Sequence, residues 1–174
     1  MDKNTVKGWM TKANHDLEVT KLDKILPSDV VCYHAQQAAE KYLKAFLIAN
    51  DADIKLEKFH IHDIDRLLVK CALIDPEFEK LSNMGIGKLT EYAVNIRYPG
   101  DYDMAEDLIM PSFIETKEAI SLAEKTVAFV KERLNIKYSL SQELKQDSPT
   151  LDSFTQNPQN KPEIKSEIKR KFGR

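Results

Sequence analysis

Residues 29–50 read DVVCYHAQQAAEKYLKAFLIAN, and the spacing within them decides the fold class. On a wheel of 100° per residue, Val31, Ala35, Ala38, Ala39, Tyr42, Leu43, Ala45, Phe46 and Leu47 fill an apolar arc of roughly 200°. The opposite arc holds Tyr33, His34, Gln37, Glu40, Lys41 and Lys44. An apolar arc that wide exceeds the needs of a surface helix. It predicts cover on two sides, such as the helix's own bundle and a second copy of the chain.

Helical periodicity continues in both directions from this stretch, and no strand pattern emerges. A first helix is expected over residues 4–25, with Val6, Trp9, Met10, Ala13, Leu17 and Leu22 near one face. Pro27 ends it, and Ser28 is the expected N-cap of the second helix. A third helix, residues 63–74, turns Ile64, Leu67, Leu68 and Cys71 inward. Asp75-Pro76 then starts a short helical turn, with aspartate as cap and proline at the first helical position. The stretch NMGIG breaks it, and a further helix over 88–96 carries Leu89, Tyr92, Ala93 and Ile96. Tyr98-Pro99-Gly100-Asp101 forces a turn. The last helix, 112–134, has Phe113, Ile120, Ala123, Val127, Val130 and Leu134 in register. The class is therefore all-α, an up-and-down bundle of four or five helices over residues 1–136.

Composition agrees and sets limits. Of 174 residues, 42% are apolar and 31% charged, and only 5 are glycine and 7 proline, too few turn formers for a sandwich or barrel. Charge interrupts every apolar run well short of the ~18 residues a membrane span needs, and the cytoplasm is the expected location. The net charge of −2 excludes a strongly basic nucleic-acid clamp, but it is unevenly spread. Residues 1–136 carry 18 Lys and Arg against 23 Asp and Glu, whereas residues 137–174 carry 8 against 5. That second stretch is polar and proline-containing, so a mostly disordered tail is expected. Its end, with Ile164, Ile168 and Phe172 four residues apart, is either a short basic amphipathic helix over 162–172 or a solvated, fraying segment.

Few residues carry obvious chemistry. Cys32 and Cys71 sit among apolar neighbours without CxxC spacing, which reads as buried reduced thiols. His60 and His62 would point opposite ways in an extended segment, so no metal site is expected, and no cofactor motif occurs. His62 is read as capping or orienting the third helix, and His15-Asp16 as surface. Two accounts fit the polar arc of the second helix. In one, Glu40 and Lys44 form a solvated i,i+4 pair worth ~0.2–0.5 kcal/mol. In the other, His34, Gln37, Lys41 and Lys44 form one line able to hold a phosphate or a base edge. A second candidate is Arg97-Tyr98-Pro99-Gly100-Asp101-Tyr102, which joins a guanidinium suited to phosphate with two rings able to stack on a base.

The stretch HAQQAAEKYLKAFL (34–47) resembles the signature helix of the HEPN family (higher eukaryotes and prokaryotes nucleotide-binding). Three further features agree in order: Trp9 with Ala13 and Asp16-Leu17; His62-Asp63-Ile64 with Leu67-Leu68; and Tyr92-Ala93 with Arg97-Tyr98-Pro99. Together they span about residues 4–134. The resemblance implies a four- or five-helix bundle that forms a homodimer and associates with nucleotides or RNA. It also implies a minimal nucleotidyltransferase partner, often in a toxin–antitoxin pair. Many relatives are metal-independent ribonucleases whose motif is an arginine followed, after four to six residues, by histidine. Arg97 matches that arginine, but Tyr102, Asp103 and Met104 occupy the histidine positions, and no histidine follows His62. Cleavage needs a base for the ribose 2′-hydroxyl, which an imidazole supplies near neutral pH and a tyrosine does not.

The expected function is therefore a non-catalytic module that binds nucleotide, RNA or a nucleotidyltransferase through His34, Gln37, Lys41, Lys44, Arg97, Tyr98 and Tyr102. The alternatives are an endoribonuclease toxin that uses Arg97, and an adaptor that docks through its tail.

Overall fold

The computed structural model describes residues 3–50, 62–94 and 110–146, and every regular element among them is helical. In chain order these are α1 (Lys3–Thr20), α2 (Ser28–Ala49), α3 (Ile64–Ala72), α4 (Glu79–Asn83), α5 (Glu91–Val94) and α6 (Phe113–Gln146). Two 3-10 turns, Pro76–Phe78 and Ile86–Thr90, precede α4 and α5. The chain divides into two units, Met1–Ile136 and Lys137–Arg174. The helical core lies in the first.

The centre of that unit is α2. Every residue of its expected apolar arc is buried, and α1, α3, α5 and the second 3-10 turn all pack on it. The breadth of the arc is thus used within one chain. Tyr42 donates its hydroxyl to Asn14 Oδ1 at 2.7 Å, and Lys44 stands 5.9 Å from the Trp9 ring, so α1 runs antiparallel to α2. Along α6 the sense is reversed. Cys32 lies 3.8 Å from the Thr116 hydroxyl, and Lys131 lies 5.4 Å from the Tyr42 ring, which makes α6 parallel to α2. Between them lie three short helices and two 3-10 turns: α3 falls within the expected 63–74, the stretch expected over 88–96 begins as a 3-10 turn before α5, and residues 95 and 96 lie outside the described residues. Phe78 joins this stretch to the core: its ring lies 4.4 Å from Phe46 and meets Phe129 edge-on at 5.1 Å.

Helix ends follow local chemistry, not always as expected. Asp63 caps α3 by accepting from Arg66 N–H at 3.0 Å, and Asp75 caps the first 3-10 turn by accepting from Glu77 N–H at 3.1 Å. Asp75 also takes Arg133 at 2.6 Å, which ties that turn to α6. Gly85 has φ 77°, a left-handed conformation that stops α4 in the expected NMGIG break. Ser112 and Glu115 form a reciprocal capping box at the start of α6: Ser112 N–H donates to the Glu115 carboxylate at 2.7 Å, and Ser112 Oγ accepts from Glu115 N–H at 3.3 Å.

Four expectations are corrected. Ser28 is not the cap of α2; Pro27 holds that position and no side chain caps it. The first helix stops at Thr20, whose hydroxyl donates to Leu17 C=O at 2.8 Å, and the chain tightens into i,i+3 turns that leave Leu22 exposed. Phe113, 72% exposed, lies outside the core beneath Lys117, because the buried stripe of α6 begins one turn later at Thr116. Finally, α6 continues as helix to Gln146, beyond the expected end at 134. Extending a formed helix costs far less than nucleating one. Residues 147–174, including the candidate helix at 162–172, lie outside the described residues.

Two phenylalanines separate core from surface in α6's neighbourhood. Phe78→Ala should lower unfolding free energy by about 3–5 kcal/mol in urea titrations, as expected for a large-to-small change in a packed core. Phe113→Ala should stay within about 0.5 kcal/mol of the wild type.

Candidate functional site

Two carboxylates organise the polar side of α2. Asp16, on α1, is buried at 8% exposure, which corrects its reading as a surface residue. Residues 34 and 41 are two turns apart on α2 and therefore share a face. Asp16 reaches both: Oδ1 lies 2.9 Å from His34 Nδ1 and Oδ2 lies 2.5 Å from Lys41 Nζ. The Asp16 carboxylate faces Nδ1 of His34, which leaves Nε2 as the ring nitrogen not engaged by Asp16. Lys41 spends one of its three N–H groups on Asp16 and keeps two. Both side chains remain partly exposed.

The second carboxylate, Glu40, is buried. Its Oε1 accepts from Lys44 at 2.6 Å, and its Oε2 accepts from Gln36 Nε2 at 2.7 Å and lies 3.2 Å from His62 Nδ1. Gln37 donates to Gln36 Oε1 at 2.7 Å, so the half-buried Gln37 is coupled to the buried cluster. Gln36 has a second contact, to the His62 carbonyl at 3.4 Å. His62 therefore orients on Glu40 while Asp63 does the capping.

The expected line of four is thus split. His34 and Lys41 meet on Asp16, Gln37 leans on Gln36, and Lys44, at 2% exposure, turns inward to Glu40. The i,i+4 pair of Glu40 and Lys44 exists, but inside the protein and not on a solvated face. Spacing within α2 gave no sign of this, because the groups that cover the polar arc come from α1 and from residue 62. Arg97, Tyr98 and Tyr102 lie outside the described residues, as do positions 103 and 104.

Other reactive groups are held quiet. Burial pushes the Cys32 thiol up to about 11, and burial pushes Cys71 up further. Burial, followed by the proximity of Cys32 and Glu115, pushes the Tyr92 hydroxyl up to about 12. Among the described residues, no group of three or more His, Cys, Asp or Glu side chains is placed to hold a metal ion. No helix among them is long and apolar enough to cross a membrane.

A helical bundle whose central helix carries QQAAEK is the arrangement expected of one family. The HEPN domain model matches residues 6–134, and the chain belongs to the HEPN family. It is 31% identical over 144 residues to a protein of Methanocaldococcus jannaschii named "Putative toxin MJ1304", a match that covers 78% of this chain and 92% of that one. No solved structure matches the chain.

Glu40→Gln should cost about 3–5 kcal/mol of stability, because it leaves the buried Lys44 ammonium without its counter-charge. Glu40→Gln combined with Lys44→Met should cost less than Glu40→Gln alone, read by the same denaturant titration. The cysteines make a separate expectation. With both thiol pKa values raised, the thiols stay protonated at pH 8, so a thiolate-directed alkylating reagent should label neither in the native protein and both in guanidinium.

Proposed function

We propose that this chain binds a nucleotide or RNA through the α2 face centred on Asp16, His34, Gln37 and Lys41. In this reading it is the non-catalytic HEPN member of a toxin–antitoxin-like pair, works as a homodimer, and has a minimal nucleotidyltransferase as partner. The observation that carries the reading is the shared carboxylate of Asp16, which sets an imidazole and an ammonium side by side at a partly open surface. A preset ammonium with N–H groups to spare suits a phosphate, and an imidazole with one ring nitrogen not engaged by Asp16 suits a base or ribose edge. Membership of the HEPN family supports the ligand class, and the toxin name of the archaeal relative supports the pairing. Arg97, Tyr98 and Tyr102 join the proposed surface through their sequence chemistry: phosphate pairing and base stacking. A ribonuclease reading is weaker, because no histidine follows His62 to serve as the motif's base.

Titration of the full-length chain with ATP and with single-stranded RNA tests this. Lys41→Ala and Arg97→Ala should each weaken binding about tenfold, the usual loss for a charged hydrogen bond, with helicity unchanged by circular dichroism. Wild-type affinity in both variants would remove the site. Light scattering with and without ATP should give the mass of two chains, and a single-chain mass would remove the dimer.

A further inference from the structure

One glycine in α1 has no evident structural reason. Gly8 lies inside the helix, where glycine is destabilising relative to alanine. Its φ is not positive, and a Cβ built on it would meet nothing within 4 Å. Neither conformation nor packing requires the missing side chain. What the absence leaves is space, in an open groove of about 430 Å³ lined by Thr5, Gly8, Trp9, Lys12 and Lys41. That volume falls within the roughly 300–1,000 Å³ of small-molecule sites.

The lining has a consistent chemistry. Residues 5, 8, 9 and 12 follow i, i+3, i+4, i+7 spacing and so share one face of α1, and Lys41 faces them from α2. Among the described residues that line it, Trp9 contributes a ring, Gly8 an open floor, Thr5 a hydroxyl and the two lysines positive charge, with no carboxylate among them. Asp16 holds Lys41 beside it, and the exposed Lys12 adds a charge that no described ion pair cancels. An occupant that suits these groups combines an aromatic plate with an anion.

We infer that this groove is the seat of a single nucleotide unit, its base stacked at Trp9 over Gly8 and its phosphate held between Lys12 and Lys41. The inference rests on the nucleotide-binding reading above and deepens it, placing the base on α1 while the α2 face supplies one phosphate contact. Stacking on an aromatic side chain accepts any base, so the groove selects for a base and a phosphate together and is indifferent to sequence. The unit is either a free nucleotide or one residue of a strand, since both present the same two groups.

Trp9 is the sole tryptophan of the chain, so its fluorescence reports the groove directly. Full-length protein is titrated with AMP, with ribose 5-phosphate and with a short oligoadenylate, and the affinities are repeated by calorimetry on Gly8→Leu, Lys12→Ala and Lys41→Ala. Saturable quenching by AMP is expected if a free nucleotide suffices, and quenching by the oligoadenylate alone if the base belongs to a strand. Ribose 5-phosphate should not quench. Gly8→Leu fills the floor with a better helix former and should weaken binding at least about tenfold, the scale of one lost base stack, with unchanged circular dichroism. Lys12→Ala should weaken it several-fold.

Wild-type affinity in Gly8→Leu, or quenching by ribose 5-phosphate equal to that by AMP, would overturn the groove. If Lys41→Ala then still loses affinity, the α2 face stands without it. If Gly8→Leu loses binding and Lys41→Ala does not, the base seat stands and the α2 face falls. Absence of binding by both AMP and the oligoadenylate would remove both.

Discussion

The buried carboxylate of Glu40 is the constraint around which the first unit is arranged. A charge at that depth is tolerable only with donors on its oxygens, and it has three, from Gln36, Lys44 and His62. Those donors come from α2 itself and from the residue that leads into α3. The network therefore fixes where the chain re-enters the bundle after α2. It also explains why part of the polar arc of α2 is buried: Lys44 turns inward, near the Trp9 ring, and α1 packs on α2. Replacing this cluster by apolar residues would cost little in principle. What the cluster adds is a link between elements, since His62 reaches Glu40 from outside α2.

Asp16 repeats the device closer to the surface. Glu40 turns its partners inward, whereas Asp16 leaves His34 and Lys41 partly open. One helix face thus contains a sealed polar cluster and an accessible one, their residues interleaved along α2. Neighbouring residues of a single stretch thus differ in exposure, with Gln36 and Glu40 buried and Gln37 and Lys41 partly open.

Much of the fold was legible in the sequence because it depends on local periodicity and turn chemistry. The bounds of α2, the inward set Ile64, Leu67, Leu68 and Cys71, the Asp75-Pro76 start and the Gly85 stop all follow from residues near one another in the chain. Errors arose where a distant residue decides. Phe113 has the right spacing but stays 72% exposed, and Leu22 follows a helix that had already ended. Asp16 and Lys44 look like surface charges until α1 is laid on α2. For the candidate site, the sequence put His34, Gln37, Lys41 and Lys44 on one arc of α2, and their division between two carboxylates was not legible. Gly8 carried a signal of another kind, a helix-weakening residue without a turn to explain it.

The parallel course of α6 and α2 has a consequence for how the chain assembles. Tyr42 and Asn14 are 28 residues apart, whereas Cys32 and Thr116 are 84 apart. Closing the longer loop carries about 1 kcal/mol more entropic cost, before any order in the intervening short helices is counted. The hairpin of the first two helices is thus the inexpensive pairing, and the docking of the final helix is the slow, committing step. Until it docks, one flank of the central helix and the open side of the Phe46–Phe78 pair face water. For that interval a nascent molecule presents a sticky seam that its finished form hides.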